Sequence, residues 1–166
     1  MVQENILKGR IAEAIVKCMM QDLGFKVIPY GYENTCPEIA NPNNVIDGDI
    51  KQIIRQTPDF IIIDKNNKAH FLEVKFRADG CFKKNKDYPY PMAHVILLTG
   101  DGYIGVEQYG KLNDEAKLNG DYISNDFNIL PNYILFKDAT KGIVSEYIAL
   151  LRKYMGNTKN ETNKKQ

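Results

Sequence analysis

The sequence predicts a mixed α/β (α+β) domain: a central mixed β-sheet flanked by helices. Three observations carry this. Helical periodicity occupies both ends of the chain. A tight strand pair occupies the middle. A continuous apolar run, His94 to Thr99 (HVILLT), follows that pair. Helices outside and strands between are the order of a layered sheet-and-helix domain.

From Glu4 to Leu23 the pattern is helical. Ile11, Ala12, Ile15, Cys18, Met19 and Leu23 share one broad face, with Cys18 expected in the core, and Gly24 is a stop signal. Phe25 to Tyr30 (FKVIPY) reads as a strand with Pro29 near its end. Gly31 to Asp47, rich in Asn, Pro, Gly and acids, reads as a long loop. Asp49 to Gln56 reads as a short helix ended ahead of Pro58. Phe60 to Asp64 and Ala69 to Phe76 are strands joined by a turn over 64–68. Arg77 to Pro91 is a loop dense in Lys and Tyr, and the unbroken apolar run from His94 marks a central strand. Gly100-Asp101-Gly102 turns into a strand from Tyr103 to Glu107. Gln108 to Leu118 then reads as a short helix, Tyr133 to Phe136 (YILF) as a short strand, and Gly142 to Met155 as the closing helix. No repeat or linker divides the chain: residues 1–155 form one domain, and 156–166 (GNTKNETNKKQ) are a disordered polar tail.

With 166 residues, 43% apolar and 26% charged, the chain is long enough to bury a core. A net charge of +1 excludes strong attraction of the whole protein to nucleic acid, so such binding needs a local patch. Cys18, Cys36 and Cys81 are odd in number and lack metal-binding spacing, which favours free thiols in a reducing compartment. No secretory leader and no apolar run of membrane-spanning length is found, so the protein reads as cytoplasmic with no membrane partner.

The hairpin carries the chemistry. Side chains alternate faces along a strand, so Glu73 and Lys75 point one way and Leu72, Val74 and Phe76 the other. A turn centred near Asn66 sets Asp59 opposite Glu73. Carboxylates so opposed repel unless a positive charge lies between them. Mg²⁺ answers that need with a few carboxylate oxygens plus water and phosphate. Lys75 reaches the same pocket, where it can orient water or stabilise charge on a phosphate. The plain alternative is a strand-end Asp beside an exposed Glu–Lys pair.

Pro58-Asp59, thirteen intervening residues, then Glu73-Val74-Lys75 resembles the signature of the PD-(D/E)XK nuclease superfamily, which includes restriction endonucleases and Holliday-junction resolvases. The resemblance spans roughly Gly9 to Leu98 in order of elements. It implies a restriction-endonuclease-like core with a four-stranded mixed sheet. It implies that Asp59, Glu73 and the Val74 carbonyl hold Mg²⁺, with Mn²⁺ as a substitute, and that Lys75 acts on the water. It also implies a catalytic glutamate on the first helix, matched by Glu13 in GRIAEAIV. Glu13 is equally flanked by Arg10 and Lys17 at ion-pair spacing. The implied activity is metal-dependent phosphodiester hydrolysis, in DNA, by a chain that works as a homodimer. The alternative is an inactive nucleic-acid-binding or protein-interaction module on the same fold.

Arg77, Lys83, Lys84 and Lys86, interleaved with Phe82, Tyr88 and Tyr90, form a candidate nucleic-acid-binding loop, or else a solvated one. His70 and His94 read as general acids or as structural residues. The closing helix and the strand at His94 are candidate dimer surfaces.

Overall fold

The computed structural model describes residues 2–41, 43, 48–118, 126–130, 133–136 and 141–156; the predicted tail beyond Gly156, residues 42 and 44–47 of the predicted loop, and Tyr122, which the sequence offers as a core or surface filler, lie outside them. Helix α1 spans Val2–Asp22. It ends as its sequence predicts. Gly24 takes φ +88°, its N–H donates to the Gln21 carbonyl at 2.9 Å, and the Phe25 N–H donates to Met20 at 3.0 Å. Those two bonds satisfy carbonyls that the last helical turn leaves open. Strand β1 (Lys26–Pro29) follows, then two single helical turns, α2 (Tyr32–Thr35) and α3 (Pro37–Ala40), and helix α4 (Asp49–Arg55).

Strands β2 (Phe60–Ile63) and β3 (Ala69–Phe76) form the predicted hairpin. Its turn is fixed by one side chain: Asp64 Oδ1 accepts the N–H groups of Asn66 at 2.8 Å and Lys68 at 2.9 Å, while Asn67 adopts φ 60°. Strand β4 (Cys81–Lys83) precedes β5 (His94–Leu98), which is buried along its whole length, and β6 (Ile104–Gln108). Short strands β7 (Glu115–Lys117) and β8 (Asn128–Ile129) and helix α5 (Lys141–Met155) complete the described chain.

The main sheet has six strands in the order β1-β2-β3-β5-β6-β8; β4 and β7 pair separately. All neighbours are antiparallel except β3 and β5, which run parallel. The fold is thus a mixed sheet flanked by helices. Its first face packs on α1 and α5 through Phe60, Ile62, Leu72, Val74, Ile96 and Leu98, met by Val16, Met19, Met20 and Leu151. The second face is covered over β5 and β6 by a smaller core of Phe82, Val95, Leu97, Tyr109, Leu112 and Phe127. No described helix is long and apolar enough to cross a membrane.

Several expectations are corrected. Gln108–Leu118 is no helix: it holds the end of β6, a 3₁₀ turn over Tyr109–Lys111, and β7. Tyr109, Leu112 and Ala116 have helix-like spacing, but they converge on Phe82 through the pairing of β4 with β7. Ile134–Phe136 is a 3₁₀ turn, not a strand, and buries Tyr133 and Phe136 three residues apart in the main core. The loop after β3 contains β4, and the stretch after β1 contains α2 and α3. Cys18 is exposed, because α1 turns Val16 and Met20 inward instead. Strand β5 lies inside the sheet, so it offers no dimer surface.

Candidate active site

The register sets the site. Phe60 pairs with Leu72, so the next step outward brings Asp59 opposite Glu73. Strand β2 has ended there, while β3 runs on to Phe76, leaving the β2-side edge of β3 open. Asp59 fills the first place along that edge: its Oδ2 accepts the Val74 N–H at 2.7 Å. The N–H and C=O of a residue in a strand project to the same side. The Val74 carbonyl therefore faces the same notch. The Asp59 backbone is itself fixed, its carbonyl accepting the N–H groups of Tyr30 at 2.9 Å and Gly31 at 3.1 Å.

Glu73 is buried, 6% exposed, in a strand that is otherwise apolar at its centre. Each of its oxygens has a partner. Oε1 takes an ion pair from the Lys75 ammonium, and Oε2 accepts the Tyr88 hydroxyl at 3.3 Å. Tyr88 is held in place by Tyr109, 4.2 Å away between ring centroids, whose own hydroxyl donates to the Asn85 carbonyl at 2.8 Å.

The electrostatics follow from that crowding. Burial, and next the Glu73 carboxylate, hold Asp59 well above the ordinary carboxylate range, against the pull of Lys75 and the Val74 N–H. Burial opposes the Lys75 ammonium, but the Glu73 and Asp59 carboxylates overcome it and raise its pKa, so Lys75 stays charged. Burial likewise raises Glu13, against Arg10.

A cavity of about 530 Å³ opens over it, lined by Asn5, Lys8, Gly9 and Glu13 of α1 and by Asp59, Val74, Lys75 and Arg77. Glu13 therefore belongs to the site, on the wall facing Lys75. Arg10 ties it to the outside: Nη1 lies 3.7 Å from Glu13 and Nη2 3.1 Å from Glu33 of α2. Among the described residues no group of three or more His, Cys, Asp or Glu side chains is gathered to hold a metal ion. The donors on offer are two carboxylates and a backbone carbonyl. All are hard oxygens, and Mg²⁺ takes one or two carboxylates while keeping several waters. The donor chemistry fits that ion.

Of the basic loop, Arg77 alone lines the cavity. Lys83 lies 3.4 Å from Glu115, Lys86 lies 3.4 Å from Asp114, and Lys84 donates to the Leu112 carbonyl at 3.0 Å. The histidines stand elsewhere. His94 is buried with Nδ1 3.0 Å from the Tyr133 hydroxyl, and His70 pairs with Asp64 at 3.2 Å. Glu33, Asn5 and Lys8 were not singled out by sequence, and Tyr88 was read only as part of the basic loop, not as a partner of Glu73. A tyrosine fifteen residues from the acid it touches leaves no local pattern, whereas Asn5 and Lys8 share the helix-face spacing of Glu13. No family model, no curated protein and no solved structure matches this chain.

Proposed function

We propose that this chain is a metal-dependent nuclease of the PD-(D/E)XK type, with a restriction-endonuclease-like core, that hydrolyses phosphodiester bonds in DNA. The observation that carries the reading is the register of Asp59 opposite Glu73 at an open strand edge, with Lys75, paired to Glu73, lining a cavity. Asp59, Glu73 and the Val74 carbonyl would hold Mg²⁺, or Mn²⁺ in its place. The bound ion supplies a Lewis acid and a water of lowered pKa. Lys75, kept as an ammonium, donates toward the attacking water or a phosphate oxygen and stabilises the charge that gathers there. Arg77 counters the phosphate charge at the cavity rim. We assign Glu13 the holding of a proton released by the water, a task suited to a carboxylate raised by burial. The exposed Leu150 and Tyr154 of α5 offer a surface for a homodimer. Three free cysteines suit work in a reducing cytoplasm.

The test is cleavage of a panel: linear duplex, single-stranded DNA, four-way junction, plasmid and RNA, each with Mg²⁺, Mn²⁺ or EDTA. Cutting of DNA with either metal, and none in EDTA, is expected. A folded protein that cuts nothing is the inactive binding module instead.

A further inference from the structure

We infer that the sheet face beside the two carboxylates is a stacking surface for unpaired nucleobases, which makes the substrate a single-stranded or frayed nucleic acid; the inference rests on the nuclease reading for where the cut falls. Four rings form one band. Tyr30 lies 5.6 Å from Phe71, Phe71 lies 5.3 Å from Tyr90, and Tyr90 lies 5.6 Å from Tyr88, between ring centroids. All four residues are half-buried, and Tyr88 also packs against the second core. Both ends of the band touch the site. The Tyr30 N–H donates to the Asp59 carbonyl at 2.9 Å, and the Tyr88 hydroxyl donates to Glu73 at 3.3 Å.

The band sits where, among the described residues, neither hydrophobic core covers the second face of the sheet. Ile28, 37% exposed, and Ile61 and Phe71 line it, and none of the three belongs to either hydrophobic core. Register places Glu73 and Lys75 on this face together with Phe71. Lys75 and Arg77 line the cavity beside the carboxylates. Exposed rings and cations that both adjoin the acids match an unpaired strand, which offers bare base faces as well as phosphates. A duplex shuts its base faces inside the stack and gains nothing from exposed rings. Stacking on a protein ring strengthens binding by about 5- to 100-fold per base.

The test is fluorescence anisotropy of the full chain in EDTA, so that nothing is cut. The probes are an unpaired oligonucleotide of about 15 nucleotides and its blunt duplex, a length that spans a typical single-strand site. The unpaired strand should bind at least about 10-fold tighter than the duplex. Tyr90→Leu and Tyr30→Leu should each weaken strand binding by about 5-fold or more and leave duplex binding as it was. Should one variant melt at lower temperature, the other carries the comparison. Equal affinity for strand and duplex, or variants that bind the strand like the wild type, overturns the inference. So does a variant that only converts dimer to monomer, since the rings would then serve a second copy of the chain. The two readings fail separately. Tight strand binding without cleavage in Mg²⁺ sinks the nuclease and keeps the stacking surface; cleavage of duplex without preference for unpaired strands does the reverse.

Discussion

Replacing Asp59 by Asn should make the metal-free protein more stable. Asn keeps an oxygen for the Val74 N–H, so the 2.7 Å bond survives in kind. What it removes is a negative charge opposite Glu73. Carboxylates on directly opposed positions stand about 5 Å apart, and at an effective dielectric of about 20 their repulsion is about 3 kcal/mol. The Lys75 ammonium on Glu73 offsets roughly half of that, and the half-buried position of Asp59 allows further screening. The expected gain is about 1 to 2 kcal/mol, a rise in Tm of about 2 to 8 °C for a chain of this length. Thermal denaturation in EDTA on the alkaline side, where Asp59 is ionised despite its raised pKa, measures it. Adding Mg²⁺ should then stabilise the wild type by about 2.7 kcal/mol at a hundred times its Kd, raising its Tm, and leave Asp59→Asn nearly unmoved. A variant that melts below the wild type in EDTA would show that Asp59 is a structural anchor, and the argument from repulsion would be refuted.

Other perturbations separate the parts of the account. Tyr88→Phe keeps the ring but loses the hydroxyl on Glu73, and should weaken Mn²⁺ binding about 10-fold by calorimetry; unchanged affinity would mean that Tyr88 does not position the carboxylate. Gly80→Ala should cost more than about 1 kcal/mol by denaturant titration, because φ is +70° and a Cβ would collide with the Leu118 carbonyl. Normal stability there would mean that the β4–β7 pair is loosely held. His94 is depressed to about 4, first by burial and then by His70, with Lys111 and Lys68 adding to it. A base held below its ordinary value gives stability that is present above about pH 6.5 and lost as pH falls toward 4, about 3 kcal/mol in all. His94→Gln should flatten that loss in a pH series of melts, and an unchanged acid limb would assign it to other groups.

The hairpin and its acids were legible because their determinants are local. Asp64 writes the turn, alternation writes the faces, and together they set Asp59 against Glu73. Strand β5 was legible because an unbroken apolar run has few places to lie except mid-sheet. What failed depended on distant partners. The spacing of Tyr109, Leu112 and Ala116 imitates a helix, and only Phe82, more than twenty residues earlier in the chain, decides otherwise. Helix α1 is apolar on several sides, so its pattern did not say that Val16 and Met20 would face the sheet while Cys18 faced solvent. The same holds at the site. Glu13 was visible as a helix-edge acid, but Arg10 bridging it to Glu33 joins two elements that sequence spacing does not connect.

The most direct test of the account is the rate of DNA cleavage by wild type, Asp59→Asn and Lys75→Ala in saturating Mg²⁺, each shown to be folded by its melt. Both variants should fold and lose cleavage by about 100-fold or more, Lys75→Ala while still binding Mn²⁺ and Asp59→Asn without it. Cleavage that persists undiminished in either variant, or that proceeds equally in EDTA, would contradict the assignment of this notch as a metal-dependent active site.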